Sequence, residues 1–366
     1  HAGQTAPTAS KQKAKPREAR TAIARWLMVL FALVVLMISV GGMTRLTDSG
    51  LSITEWRPVT GALPPLSAEA WDAEFAKYKE IPEYQLQNKG MSLAEFKVIY
   101  WWEWGHRQLG RVIGLVWALG FFAFLALSKI PRGWTMPLLG LGLLGGLQGA
   151  IGWWMVSSGL TGTMLDVASY RLATHLGLAF IILGLIAWFV PRIQLAEVDA
   201  LQARRRREGG AMALATLLLA AAFLQILLGA LVAGIDAGRS YTDWPLMGGA
   251  IFPATAWDLT PAWKNFFENA GLVQFNHRIT GYILFLLALV VWWRGASSAV
   301  RAVRSAFHWM MWFLTLQIVL GVVTVIYAAP WYLGIAHQLL GVAVFVAIIR
   351  ARFRAAYPPE ERVARA

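Results

Sequence analysis

The chain of 366 residues contains no cysteine, and only 14% of its residues are charged. The absence of cysteine excludes disulfides, thiolate ligation of haem, iron–sulfur clusters and redox-active thiols. The small share of charge, together with a hydrophobic content of 57%, excludes an ordinary soluble domain. A net charge of +13 is compatible with a nucleic-acid partner, but the basic residues alternate with long apolar segments, so we expect no such partner.

Eight apolar segments are long enough to cross a bilayer, which takes about 20 residues each. Because a segment in lipid must satisfy its own backbone hydrogen bonds, each one is predicted to be a helix. The sequence therefore predicts an all-α integral membrane protein in contact with lipid. The predicted spans are 23–43, 107–128, 134–156, 172–190, 211–234, 277–293, 307–328 and 335–349.

Basic residues lie in alternate connections between these spans. They cluster within residues 11–25, 129–132, 192–207, 294–304 and 350–365. Basic loops mark the cytoplasmic side, so both termini are expected to be cytoplasmic, with the protein in a bacterial inner membrane. The first apolar segment is too long for a signal-peptide core and lacks a small-residue cleavage site after it, so no cleavable signal is expected.

Sequence motifs recur in the same order in the two halves of the chain. Residues 48–56 and 236–244 both read Asp-x-Gly-x-Ser-x-Thr-acid-Trp, and Leu-Gln-x3-Gly occurs at 147–152 and 316–321. Each half has four spans, so the repeats are expected to be parallel and to form two pseudo-symmetric four-helix bundles. The predicted division is tail 1–22, bundle 23–192 with outer loop 44–105, linker 193–210, bundle 211–350 and tail 351–366.

Three local patterns predict helix starts outside the spans. Residues 67–78 have the pattern of a short amphipathic helix with Trp71 and Phe75 on one face. Ser92 and Glu95 fit a capping box, which predicts that the second long helix begins there. Thr260 and Pro261 fit an N-cap and first-turn pair for the sixth.

Four of the six histidines lie near the starts of the even-numbered spans: His106, His175, His277 and His337. Histidine within a membrane segment is costly and points to function. Even-numbered spans run in one direction, so these imidazoles are expected at similar depth, near the periplasmic face, as two bis-histidine pairs for haem iron. Zinc or copper is the alternative, but no cysteine or paired carboxylates accompany them. His308 has no repeat partner and is interpreted as an interfacial residue.

The two histidine pairs differ in their neighbours. Glu103 precedes His106 by three residues, whereas Gln274 holds the equivalent position before His277. The carboxylate indicates proton movement at one site only, or else merely an ion pair with Arg107 or another cation at the interface. Arg107 and Arg278 directly follow histidines, and either pairing with haem propionates or contact with lipid headgroups accounts for them.

Over residues 25–350 the chain closely resembles the haem A synthase (Cox15/CtaA) family, in a subclass without cysteine. The motifs are Glu103-Trp-Gly-His106-Arg, Arg171-Leu-Ala-Thr-His175, Asn276-His277-Arg278-x-x-Gly281 and Ala336-His337-Gln338. The resemblance implies oxidation of the C8 methyl group of haem O to the formyl group of haem A. It assigns substrate haem to His106 and His175, an essential carboxylate to Glu103, and a permanent haem b to His277 and His337.

Two other functions are weighed against this one. A dihaem b-type electron-transfer cytochrome normally places haems toward opposite membrane faces, and a haem transporter does not explain two closed histidine pairs. The electron donor is not identified by the sequence. Haem O synthase and oxidase assembly factors are implied as partners by the resemblance alone. Glycines in the third span also permit a homo-oligomer, because small residues let helices approach closely.

Overall fold

A computed structural model describes residues 9–361, which form twelve α-helices. Eight helices are long and apolar enough to cross a membrane, which confirms the predicted all-α membrane class. They are α1 (Ala9–Leu46), α4 (Leu93–Ala126), α5 (Thr135–Ser157), α6 (Ser169–Gln194), α8 (Gly209–Gly234), α10 (Ala270–Ala296), α11 (Arg301–Ile326) and α12 (Trp331–Ala356). The shorter helices are α2 (Ala68–Tyr78), α3 (Pro82–Leu86), α7 (Glu197–Arg205) and α9 (Asn265–Glu268).

Two of the three predicted helix starts are confirmed. In the capping box, Ser92 Oγ accepts a hydrogen bond from Glu95 N at 3.2 Å, and Glu95 Oε2 accepts one from Ser92 N at 2.7 Å. Ser67 caps α2, and Trp71 and Phe75 are buried as its apolar face predicts. Within the predicted linker, residues 197–205 form α7.

The predicted start of the sixth long helix at Thr260 is wrong. Helix α10 begins at Ala270, and the Asn269 side chain caps it by accepting a hydrogen bond from Leu272 N at 3.1 Å. Pro261 instead precedes one turn of 3-10 helix. Asparagine is as good an N-cap as threonine, and Asn269 lies nearer to the apolar segment that the helix must bury.

The long helices pack mainly along their own half of the chain. Helix α1 packs against α4 and α6, and α5 against α6; likewise α8 packs against α10 and α12, and α11 against α10 and α12. Between the halves, α6 contacts α8, and α12 contacts both α1 and α6. Phe180 and Phe345 meet edge to face there, with ring centres 5.5 Å apart. The centre of the molecule is therefore formed by α1, α6, α8 and α12.

One arginine joins the two repeated loops at the end of the molecule where α1 and α8 finish. Asp48 and Asp236 hold equivalent positions, with φ angles of 51° and 53°. Arg45 forms ion pairs with both, at 3.2 and 3.3 Å, and with Asp166 at 3.0 Å. Burial raises the pKa of Asp166 to about 6 despite the nearby guanidinium. This single cation therefore ties three connections together.

The outer loop has an apolar core of its own, and Glu83 is buried beside it with only 3% of its surface exposed. Its Oε2 accepts a hydrogen bond from the Tyr78 hydroxyl at 3.1 Å. Burial raises the pKa of Glu83 to about 8, because desolvation outweighs the hydrogen bond from Tyr78. The folded state therefore holds a proton on Glu83 at pH values where the unfolded chain has lost it.

Glu83→Gln is expected to remove a pH-dependent loss of stability. The ordinary pKa of 4.5 lies below the folded value of about 8, so wild-type stability falls as pH rises between them. At about pH 9 the variant should unfold about 3 °C or more above wild type, and at about pH 4 the two should match. Thermal unfolding in detergent checks this, with exposed Glu80→Gln as the matched control. An equal difference at both pH values contradicts the account.

Candidate functional site

The structure brings the four predicted histidines together in two pairs. His106 on α4 faces His175 on α6, with ring centres 6.4 Å apart and ring planes inclined at 57°. His277 on α10 faces His337 on α12, at 6.3 Å and 89°. A metal lies about 2 Å from an imidazole nitrogen and the ring centre about 1 Å further, so two axial imidazoles have centres about 6 Å apart. Both pairs have the separation of two ligands to one iron.

The donor set fits haem better than a bare metal ion. Across residues 9–361, no three histidine, cysteine or acidic side chains group as ligands. A zinc site takes three or four protein ligands, whereas haem supplies its own equatorial nitrogens and needs only axial ligands. His308 lies apart from both pairs, where its Nδ1 accepts a hydrogen bond from Trp292 Nε1 at 3.0 Å. It therefore stays interpreted as an interfacial residue.

Each paired histidine lies against a glycine of the preceding long helix. A Cβ atom built on that glycine would come within 3.0–3.2 Å of an imidazole atom, closer than ordinary contacts. Any larger residue would therefore displace the ring. The four glycines are Gly41, Gly152, Gly229 and Gly321.

Three glutamines contact the paired histidines, and the sequence reasoning missed their role. Nε2 of Gln148, Gln225 and Gln317 donates to the backbone oxygen of His175, His277 and His337, respectively, at 2.8 Å in each case. Each glutamine lies four residues before the glycine that contacts the ring. The signal was available: Leu-Gln-x3-Gly occurs a third time at 224–229 in the fifth span.

Glu103 is buried, with 3% of its surface exposed, and both its oxygens are engaged. Oε2 accepts hydrogen bonds from Ser52 Oγ and from the backbone N of Ile53, each at 2.7 Å. Oε1 pairs with Arg107 at 2.7 Å. The ion pair considered from the sequence is therefore present, and the carboxylate also holds the repeated loop against α4.

Gln274 contacts the equivalent loop of the second half, but as a hydrogen-bond donor. Its Nε2 donates to the backbone oxygens of Ala237 and Tyr241, at 2.7 and 3.1 Å. Where Glu103 accepts hydrogen bonds, Gln274 donates them. The two histidine pairs thus have similar frameworks, and only one has an ionisable group at this position.

Arg107 and Arg278 make equivalent contacts with the repeated loops. Arg107 donates to the backbone oxygens of Ile53 and Glu55, at 3.0 and 2.8 Å. Arg278 donates to those of Tyr241 and Asp243, at 3.3 and 2.9 Å. Both guanidiniums therefore fasten loops. Their predicted pairing with propionates stays a prediction, and Arg278 Nε, which is buried without a partner, leaves one donor for it.

The family of cytochrome oxidase assembly proteins named COX15-CtaA matches residues 24–349. The chain belongs to this family. It is 67% identical to the Heme A synthase of Dinoroseobacter shibae over 340 residues, 93% of this chain and 89% of the relative. Identity to the Heme A synthase of Ruegeria sp. is 63% over 357 residues, 97% of this chain and 94% of the relative.

A third relative, the Heme A synthase of Paracoccus denitrificans, is 57% identical over 359 residues, 98% of this chain and 94% of its own length. These matches confirm the resemblance inferred from the histidine motifs. The absence of cysteine is consistent with the cysteine-free subclass of COX15-CtaA proteins. The three relatives give no support to the electron-transfer cytochrome considered as an alternative.

Proposed function

We propose that this protein oxidises the C8 methyl group of haem O to the formyl group of haem A. Two successive hydroxylations would give a geminal diol, which then loses water, and the four electrons removed from the carbon pass to an external oxidant. The observation that carries the proposal is the duplicated histidine pair with a carboxylate beside only one copy. Relatives named Heme A synthase, at 57–67% identity over nearly their full length, support it. Haem A made in this way would serve terminal oxidases.

The two halves, residues 23–192 and 211–350, are proposed to divide the work. His106 and His175 would hold the iron of haem O as substrate, and of haem A as product. His277 and His337 would hold a permanent haem b, which supplies one-electron redox chemistry when bound. Support comes from the ring separations of 6.4 and 6.3 Å, because both match two axial ligands.

Glu103 is proposed as the group that takes up or releases protons during oxidation of the methyl group. It lies one helical turn before His106, so both residues share a face of α4. Two hydrogen bonds and the Arg107 ion pair fix its orientation. A fixed, water-excluded carboxylate suits general acid–base work. In the second half, Gln274 has no proton to exchange, which suits a site that only relays electrons.

The orientation in the membrane is likewise a proposal. Alternate basic connections support cytoplasmic termini and histidine pairs toward the periplasmic face of a bacterial inner membrane. Haem O synthase is proposed as the source of substrate, and oxidase assembly factors as recipients of haem A. Gly145, Gly146 and Gly149 of α5 have open space beside them, which is compatible with a homo-oligomer.

Expression of this chain together with haem O synthase, in a host that makes no haem A, tests the activity. Membrane haems are extracted, separated by chromatography and identified by mass. Haem A is expected in the presence of both proteins and not with haem O synthase alone. Accumulation of unchanged haem O beside abundant, folded protein contradicts the proposal and favours an electron carrier or a haem-binding transporter.

A further inference from the structure

Consecutive long helices pack in four pairs, here called hairpins (α1 with α4, α5 with α6, α8 with α10, α11 with α12), and the same residue pattern recurs in each. On the even-numbered spans a histidine is followed four residues later by a small residue. On the odd-numbered spans a long residue is followed four residues later by the glycine that contacts the imidazole. In three hairpins that long residue is glutamine, and in the first it is Met37. Met37 Cε lies 3.3 Å from the Cβ position of Gly110, where Gln225 and Gln317 face Gly281 and Gly341.

The glutamines leave polar atoms that lack partners beside the imidazoles. The Oε1 atoms of Gln148, Gln225 and Gln317 are buried and accept no hydrogen bond, and Nδ1 of His175 and of His337 is buried and unpartnered. Gln225 Nε2 lies 3.0 Å from His277 Nδ1. Gln225 places the same Nε2 against both Nδ1 and the carbonyl oxygen of His277. The terminal torsion of an amide is soft, so a rotation turns its oxygen toward Nδ1 in place of Nε2.

That arrangement is the one an iron ligand needs. A histidine that binds metal through Nε2 carries its proton on Nδ1, and an acceptor for that proton fixes the tautomer and the ring plane. At His175 and His337, Nδ1 is buried without a protein partner, and the glutamine on the neighbouring helix has a buried amide oxygen that is also without one.

His106 lacks this support. Met37 has no N–H donor in its side chain, and its thioether is only a weak acceptor. The ring is also turned differently: His106 presents Nε2 and Cδ2 to Gly41, at 3.2 and 3.5 Å. The other three histidines present Cε1 to their glycines, at 3.0–3.1 Å, with both ring nitrogens further away. His106 therefore has no glutamine beside it, whereas Gln148, Gln225 and Gln317 each donate to the backbone oxygen of one of the other three histidines.

We propose that Gln148, Gln225 and Gln317 are positioning residues that fix three axial histidines, and that Met37 leaves His106 as the ligand that releases iron first. This inference rests on the proposed assignment of haem to the two histidine pairs. A permanent cofactor would then have two fixed ligands, and a substrate that must leave as product would have one fixed and one releasable ligand.

Reciprocal exchange of the two residues tests the proposal. Gln317→Met places the residue of the first hairpin in the fourth, and Met37→Gln does the reverse. The purified, haem-loaded protein is mixed with excess apomyoglobin, and loss of each haem is followed by absorbance. Loss of a supporting hydrogen bond typically costs about 10–100-fold in metal affinity. Gln317→Met is therefore expected to speed release of haem B about tenfold or more, and Met37→Gln to slow release of haem O or A about tenfold.

A second readout separates positioning from general loosening of the fold. The low-spin electron paramagnetic resonance signal and the midpoint potential of haem B should change in Gln317→Met and stay unchanged in Met37→Gln. Gln202→Met is the matched control, because this exposed glutamine lies on the short helix α7, outside the long helices that carry the histidines. It should leave release rates and spectra as in wild type.

The outcomes distinguish the inference from the function on which it rests. Wild-type protein without two bis-histidine low-spin signals overturns the haem assignment itself. Wild-type signals with unaltered release and spectra in Gln317→Met overturn the role of the glutamines alone. If Gln317→Met does not fold, Met37→Gln decides: unchanged release of haem O or A overturns the proposal, and slower release supports it.

Discussion

His277→Ala is expected to lose haem B almost completely, to below about a tenth of the wild-type content. In the proposed assignment this imidazole is one of two ligands to the iron, its ring centre lies 6.3 Å from that of His337, and the cavity left by alanine offers the iron no replacement. Gly229 of α8, which contacts the His277 ring in the wild-type protein, has no side chain that could bind iron in its place. Haem content of the purified variant, determined by extraction and chromatography, is the measurement.

Two histidine variants serve as controls for that result. His308→Ala should keep full haem content, since His308 contacts Trp292 and lies apart from both pairs. His106→Ala should keep haem B and lose haem O and haem A. Full retention of low-spin haem B in His277→Ala contradicts the assignment of the second pair. Loss of haem B in His308→Ala as well would show that general unfolding, and not a missing ligand, releases the haem.

Glu103→Gln is expected to lower the yield of haem A by about 10²–10⁴-fold while both haems remain bound. Glutamine matches the carboxylate in size and can still accept hydrogen bonds from Ser52 and Ile53, but it cannot exchange a proton. The measurement is haem A formed relative to haem O bound, in variant and wild type at equal protein levels.

Ser52→Ala is the matched control for Glu103. It removes the 2.7 Å hydrogen bond from Ser52 Oγ and keeps the carboxylate with its Arg107 partner. The loss of activity is expected to be smaller than in Glu103→Gln and at most about 10–150-fold, because one hydrogen bond to a charged group contributes about 1.5–3 kcal/mol and two partners remain. Full activity in Glu103→Gln overturns the proton-handling role, and joint loss of haem and activity indicates that Glu103 mainly supports the loop.

The helices and the histidine pairs could be predicted because their signals are local and repeated. Apolar length alone located eight long helices, and the repeated motifs predicted that His106 lies opposite His175 and His277 opposite His337. The start of α10 could not be predicted in the same way, because Thr260 and Asn269 are both good caps and only packing selects between them.

Contacts between distant segments explain what the sequence reasoning missed. The partners of Arg107 are backbone oxygens more than fifty positions away, at Ile53 and Glu55, and a carbonyl group has no signature in a sequence. The position of Arg107 next to a histidine therefore predicts a pairing with haem propionates, but it does not predict the loop contacts that the guanidinium makes. The contacts of the glutamines, in contrast, have a signature in the sequence. Gln225 shares the motif Leu-Gln-x3-Gly with Gln148 and Gln317, and a comparison of the odd-numbered spans identifies all three.

The central claim is that one histidine pair binds a substrate haem and the other a cofactor haem. Its most direct test is the haem stoichiometry of protein purified after co-expression with haem O synthase. Extraction followed by chromatography and mass analysis should give haem B and the sum of haem O and haem A in about equal amounts. The His106→Ala variant should then contain haem B alone. Haem B as the only haem in wild-type protein, or haem A retained in His106→Ala, would contradict the account.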